Sequence, residues 1–93
     1  MPHSPDDKKR ALTRLRRIRG QAEALERAIE AEAACGVLLQ QISALRGAAG
    51  GLMAEVLDAH LRETFGPDAQ AAGAPPAADD LDAIVKILRT YLK

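Results

Sequence analysis

The 93-residue chain has no tryptophan, one phenylalanine (Phe65) and one tyrosine (Tyr91). Hydrophobic residues still make up 47% of it, so the apolar content is Ala, Leu, Ile and Val. That composition argues against a sandwich or barrel and for helices. A single cysteine, Cys35, excludes an intrachain disulfide. No run approaches the roughly 20 apolar residues of a membrane span. The start MPHSPDDKKR lacks the apolar region of a signal peptide. A soluble, cytoplasmic protein is expected, and 93 residues leave room for one domain, 1–93. Net charge is lacking too: thirteen Lys and Arg balance thirteen Asp and Glu, which taken alone argues against a nucleic-acid partner.

What is present is helical periodicity. Ser4 is an N-cap candidate, Pro5 suits the first helical position, and Asp6 and Asp7 complement the positive end of the helix dipole. Leu12, Leu15, Ile18, Ala22, Leu25 and Ile29 then recur every three or four residues and predict a helix from about 5 to 31. Leu38, Ile42, Leu45, Ala49, Leu52, Val56 and Ala59 predict a second over about 35 to 65. The small residues around Ala33, Ala34 and Gly36 allow only a tight reversal, so the two long helices are antiparallel. Gly47, Gly50 and Gly51 each cost about 1 kcal/mol against Ala, a cost expected to be offset by close approach of another helix. Residues 66 to 78 read as a flexible connection. A short third helix follows over 79 to 93, with Leu81, Ile84, Val85, Leu88 and Leu92 on one face.

Two long helices with continuous apolar stripes cannot bury them against each other and one short helix alone. The expected fold is therefore an all-α, three-helix protomer. Its dimer forms a four-helix bundle, the minimum assembly.

The zero net charge conceals a polarity. Residues 8 to 19, KKRALTRLRRIR, hold seven basic residues and no acidic one; the rest of the chain carries six basic and thirteen acidic. Lys9, Arg10, Arg14, Arg17 and Arg16 are expected on a broad face opposite Leu12, Leu15 and Ile18, a face suited to a row of phosphates. A solvated helix surface is the bland alternative, but such surfaces usually mix signs to gain i,i+4 pairs. A membrane surface is disfavoured because the apolar face is claimed by the bundle.

Cys35 falls at the start of the second helix, at the positive end of its dipole, although a lone cysteine is more often a small core residue. The antiparallel hairpin brings His3 near His60 and leaves Cys35 about 40 Å away at the other end. Pro2 and Cys35 can meet only across a subunit interface. Removal of Met1 would leave Pro2 with a secondary amine that condenses with an aldehyde to an iminium open to attack by a thiolate.

The segments TRLRRIRGQAEALERAIE, LLQQISALRGAAGGLMAEVLDAHLRETF and LRTYLK resemble the CsoR/RcnR/FrmR family of small helical transcriptional repressors over nearly the whole chain outside 66 to 80. MPHSPDDKKRALTRLRRIRGQ and HLRETF are most similar to its formaldehyde-responsive members. The resemblance implies a homotetramer, a dimer of dimers, that holds operator DNA until an effector is sensed. It implies formaldehyde bridging Pro2 to Cys35, and DNA contacts from Arg14, Arg17, Lys9, Arg10 and Arg16, with Arg46 a further candidate. It also implies an alternative, a metal-responsive repressor sensing nickel or cobalt, zinc or copper through His3, Cys35 and His60. The family's fourth metal ligand falls on Thr64, a poor donor, with Glu63 beside it. No cofactor is required on this reading, an adventitious hold on Zn2+, Co2+ or Cu+ is expected, and no enzymatic turnover is implied.

Overall fold

A computed structural model describes residues 4–66 and 78–91. Among them are three α-helices and no strand: α1 (Pro5–Glu30), α2 (Cys35–Phe65) and α3 (Ala78–Tyr91). The all-α class and the three helices agree with the periodicity, with ends shifted by a residue or so. Pro2, His3, Leu92 and most of the expected connection lie outside the described residues. The chain forms two compact units that divide after Ala59.

The start of α1 follows from local chemistry. Ser4 Oγ accepts from the Asp7 amide at 3.0 Å, Pro5 occupies the first turn, and Asp6 and Asp7 sit where the dipole is positive. Its end is a Schellman motif: the Ala33 amide donates to the Ala28 carbonyl and the Glu32 amide to the Ile29 carbonyl, both at 3.0 Å. This closure needs one left-handed residue. Glu32 supplies it, with φ 57°, while Gly36 lies inside α2. The reversal thus comes one turn before the nearest glycine, because the motif's geometry counts from the last helical carbonyl. Ala34 then opens α2, its carbonyl accepting from the Val37 and Leu38 amides at 3.0 and 3.1 Å.

Within the first unit, the less exposed positions of α1 include Asp7, Ala11, Ile18, Gln21, Leu25 and Ala28. On α2 they include Leu38, Gln41, Leu45, Ala48, Leu52, Glu55 and Ala59. The α2 series steps by three and four and the α1 series by three, four and, from Ala11 to Ile18, seven, the period of a helix–helix seam. Ion pairs from Arg10 and Arg14 to Glu55 join the beginning of α1 to the second half of α2, so the helices run antiparallel.

The expected α1 stripe does not enter this seam as a whole. Ile18 and Leu25 do, whereas Leu12, Leu15, Ala22 and Ile29 stay exposed. On α2, Ile42 and Ala49 likewise remain outside, beside exposed Leu39 and Met53. The reason is width: one neighbouring helix covers a stripe of roughly 100°, and the apolar positions span more than that. Gln21 and Gln41 also hold their Oε1 atoms away from solvent with no hydrogen-bond partner among the described residues, each at a cost of about 1–3 kcal/mol. Among the described residues only Ala59 and Ile84 are buried apolar side chains. In the second unit Ile84 is buried and Leu88 half-buried, while Leu81 and Val85 of the expected α3 face are exposed.

Within the single chain, a Cβ at Gly47 or Gly50 would meet nothing within 4 Å among the described residues. At Gly51 it would lie 2.9 Å from Nη1 of Arg14, so this glycine alone admits a close neighbour, and the neighbour is a guanidinium, not a helix backbone.

Two stability predictions follow from these local geometries. Glu32→Gly removes the left-handed strain of a residue with a Cβ, worth about 1 kcal/mol or more, against a smaller entropic loss in the unfolded chain. Its melting midpoint by circular dichroism at fixed protein concentration should rise, and a fall would mean that the Glu32 side chain contributes more than its strain costs. Gly51→Ala should also raise the midpoint. The gain in helix propensity is about 1 kcal/mol, and the displaced Arg14 side chain is half exposed and held by an ion pair worth less than that. A lowered midpoint would assign a larger structural role to the seat of Arg14.

Candidate functional site

Lys9, Arg10, Arg14, Arg16 and Arg17 are all exposed on α1, and Arg46 is exposed on α2. Their helical spacing divides them. Arg10, Arg14 and Arg17 follow one row, three and four residues apart, and Lys9 and Arg16 follow another, turned about the axis. The first row does not stand opposite the part of α1 that packs, as its distance from Leu12 and Leu15 implied. Arg10 and Arg14 lean onto α2, because the seam is centred nearer to them than to those leucines.

The anchor is Glu55. Arg10 Nε donates to its Oε1 at 2.9 Å, and Arg14 Nε lies 3.4 Å from its Oε2, so each carboxylate oxygen holds one guanidinium. A terminal nitrogen of Arg10 also pairs with Asp7, one turn earlier on α1. The Glu55 side chain is 22% exposed, against 59% for Arg10 and 48% for Arg14: the acid is rooted near the seam and the bases reach outward. The hydrogen bond to Glu55 raises the pKa of Arg10, outweighing the lowering by desolvation, and the charges of Asp7 and Glu55 act in the same direction. Asp7 and Glu55 were not among the expected functional residues. The Asp7–Arg10 pair is visible in sequence as an i,i+3 spacing, but nothing local marks Glu55, 45 residues from Arg10.

The second group of chemically notable residues is on α2. Cys35 is its first residue and is exposed. Leu39, Ile42, Arg46, Ala49 and Met53 continue from it in three- and four-residue steps. The large apolar members of this row are 61%, 45% and 40% exposed in turn. Arg46 therefore stands within an uncovered apolar row, a setting unlike that of the α1 cations. His60 is half-buried on the same helix. It lies 25 residues after Cys35, about 37 Å along the helix at 1.5 Å per residue, so one chain does not bring the two together. Pro2 and His3 lie outside the described residues. Among the described residues no three His, Cys, Asp or Glu side chains gather closely enough to hold a metal ion, and no helix is long and apolar enough to cross a membrane.

Residues 7–90 match the family model described as metal-sensitive transcriptional repressor. Over their full lengths, the chain is 48% identical to the "Uncharacterized protein in bioA 5'region" of Serratia marcescens and 38% identical to the transcriptional repressor RcnR of Citrobacter koseri. Among solved structures, it is similar to a variant of the formaldehyde-responsive regulator FrmR from Salmonella enterica serovar Typhimurium. The match has a TM-score of 0.77 at 48% identity and covers 97% of this chain and 99% of that one. With the three-helix fold, the charged α1 and matches that run nearly end to end, the chain belongs to the CsoR/RcnR/FrmR family of metal-sensitive transcriptional repressors.

Proposed function

We propose that this repressor is a formaldehyde sensor that binds operator DNA as a homotetramer and lets go when formaldehyde joins Pro2 of one subunit to Cys35 of another. The observation that carries the sensing step is Cys35, exposed at the first residue of α2 in a chain whose second residue is proline. The identity to a formaldehyde-responsive regulator supports it. The Pro2 amine adds to formaldehyde, the carbinolamine loses water to give an iminium, and the Cys35 thiolate adds to its carbon. One water leaves, and a methylene replaces one hydrogen on nitrogen and one on sulfur. The event is stoichiometric, with no turnover, and the genes released would be those that remove formaldehyde.

In this reading Lys9, Arg10, Arg14, Arg16 and Arg17 supply the phosphate-facing surface, with Arg46 an additional contact. Such a surface reads the shape and phosphate spacing of DNA more than base edges. The uncovered apolar rows support assembly, since a single chain leaves Leu39, Ile42, Leu12 and Leu15 in water. A DNA partner places the protein in the cytoplasm. The metal reading is favoured by the family match and by the identity to RcnR. Its donors, His3, Cys35 and His60, lack a good fourth partner at Thr64, and a trace hold on Zn2+, Co2+ or Cu+ is what such a set supports.

Formaldehyde should add about 12 Da per bridge to the intact mass, produce cross-linked dimers on denaturing gels and release the DNA upstream of the chain's own gene. Cys35→Ala, or a residue added before Pro2, should abolish all three. Cross-links that persist in Cys35→Ala would sink the chemistry, and release by metal but not by formaldehyde would put the metal reading first. Ile42→Glu should lower the assembled mass in analytical ultracentrifugation. An unchanged mass would place the subunit interface elsewhere than on the Cys35 row.

A further inference from the structure

The carboxylate of Glu55 is flanked by two cations of the basic face. Arg10 and Arg14 each present the Nε edge of the guanidinium to it, one per oxygen, and Arg10 is further engaged by Asp7. Two cations of the basic face and two carboxylates thus form one cluster of no net charge that joins α1 to α2, although residues 8 to 19 of α1 contain no acid of their own. Arg14 Nη1 occupies the space over Gly51 that any Cβ would take. The acid is the less exposed member of the cluster, so the arginines are tethered on the α2 side and their outward, exposed parts remain the approach for a ligand.

We infer that Glu55 is a specificity-determining residue of the DNA surface: a built-in competitor for Arg10 and Arg14 that penalises phosphate rows of the wrong geometry. The inference rests on the DNA-binding reading above. An arbitrary duplex reaches these guanidinia fully only by displacing Glu55, which leaves a carboxylate beside DNA phosphates. A duplex of matching shape meets their outward, exposed parts and leaves the bonds to Glu55 intact. The cost therefore falls on non-specific binding, whose free energy is mostly phosphate neutralisation. A guanidinium fixed at two points also loses less freedom when it meets a well-placed phosphate.

The test compares wild type, Glu55→Gln and Gly51→Ala on two duplexes of equal length, one from upstream of the chain's own gene and one scrambled. Affinity is measured by fluorescence anisotropy across a salt series, with circular dichroism as the folding control. Glu55→Gln keeps shape and removes the charge. It should strengthen binding to the scrambled duplex roughly three- to tenfold per arginine released, steepen its salt dependence by about one phosphate equivalent, and narrow the ratio between the two duplexes. Gly51→Ala leaves every charge in place and unseats Arg14 alone, so it should narrow the ratio in the same sense by a smaller factor. An unchanged ratio and salt slope in both variants would overturn the inference. Equal weakening on both duplexes would also overturn it, by showing that Glu55 only holds the arginines in place. Absence of salt-dependent binding by wild type to either duplex would overturn the DNA reading itself, and this inference with it.

Discussion

Everything else in the first unit depends on one constraint: an α-helix with apolar positions around more than one stripe cannot be satisfied by a single neighbour. α2 keeps Leu38, Leu45, Ala48 and Leu52 half-buried and leaves Leu39, Ile42 and Met53 exposed. α1 repeats the situation with Ile18 and Leu25 inside and Leu12, Leu15 and Ile29 outside. With the Gln21 and Gln41 oxygens shielded from solvent and unpaired among the described residues, the internal pairing is a modest source of stability. The second stripe is what a further chain would cover, and Cys35 stands at its head. Under the proposed function a cysteine there would lie at the contact between subunits, where a covalent bridge has most leverage on quaternary structure.

The electrostatics follow from the same packing. The α1–α2 seam is rotated toward Arg10 and Arg14, so these two cations reach across to Glu55 while Lys9 and Arg16 follow a different row. A basic segment that looks uniform along the chain is divided in space into tethered arginines and outward-facing cations. The tethers are exposed ion pairs, worth little to stability and screened by salt. Their weight lies in orientation, since they fix which edge of each guanidinium faces outward.

Several features are legible in the sequence because they are decided within a turn of helix. The cap at Ser4, the proline at the first position, the acidic first turn and the limits of α2 depend only on residues three or four apart. Others were not legible. The left-handed residue is Glu32 although Gly36 is near, because the Schellman closure is counted from the end of α1 and takes whatever residue falls there. Three glycines in α2 looked alike, yet only Gly51 has a neighbour, since contact depends on which side of the helix another element passes. Glu55 was one of thirteen acidic residues with nothing local to distinguish it.

By itself the sequence determined the helical class, the number and placement of the helices, the concentration of positive charge in residues 8 to 19 and the isolation of a single thiol. These depend on composition and on a period of 3.6 residues, both properties of a short stretch of chain. Only the tertiary structure decided how far α1 and α2 rotate about their own axes against each other. That rotation chose which apolar residues pack, which remain for a partner and which arginines meet Glu55. A periodic pattern specifies a face only when it is narrower than the contact it makes. Here it is wider, so the choice passed to pairings between residues more than forty positions apart.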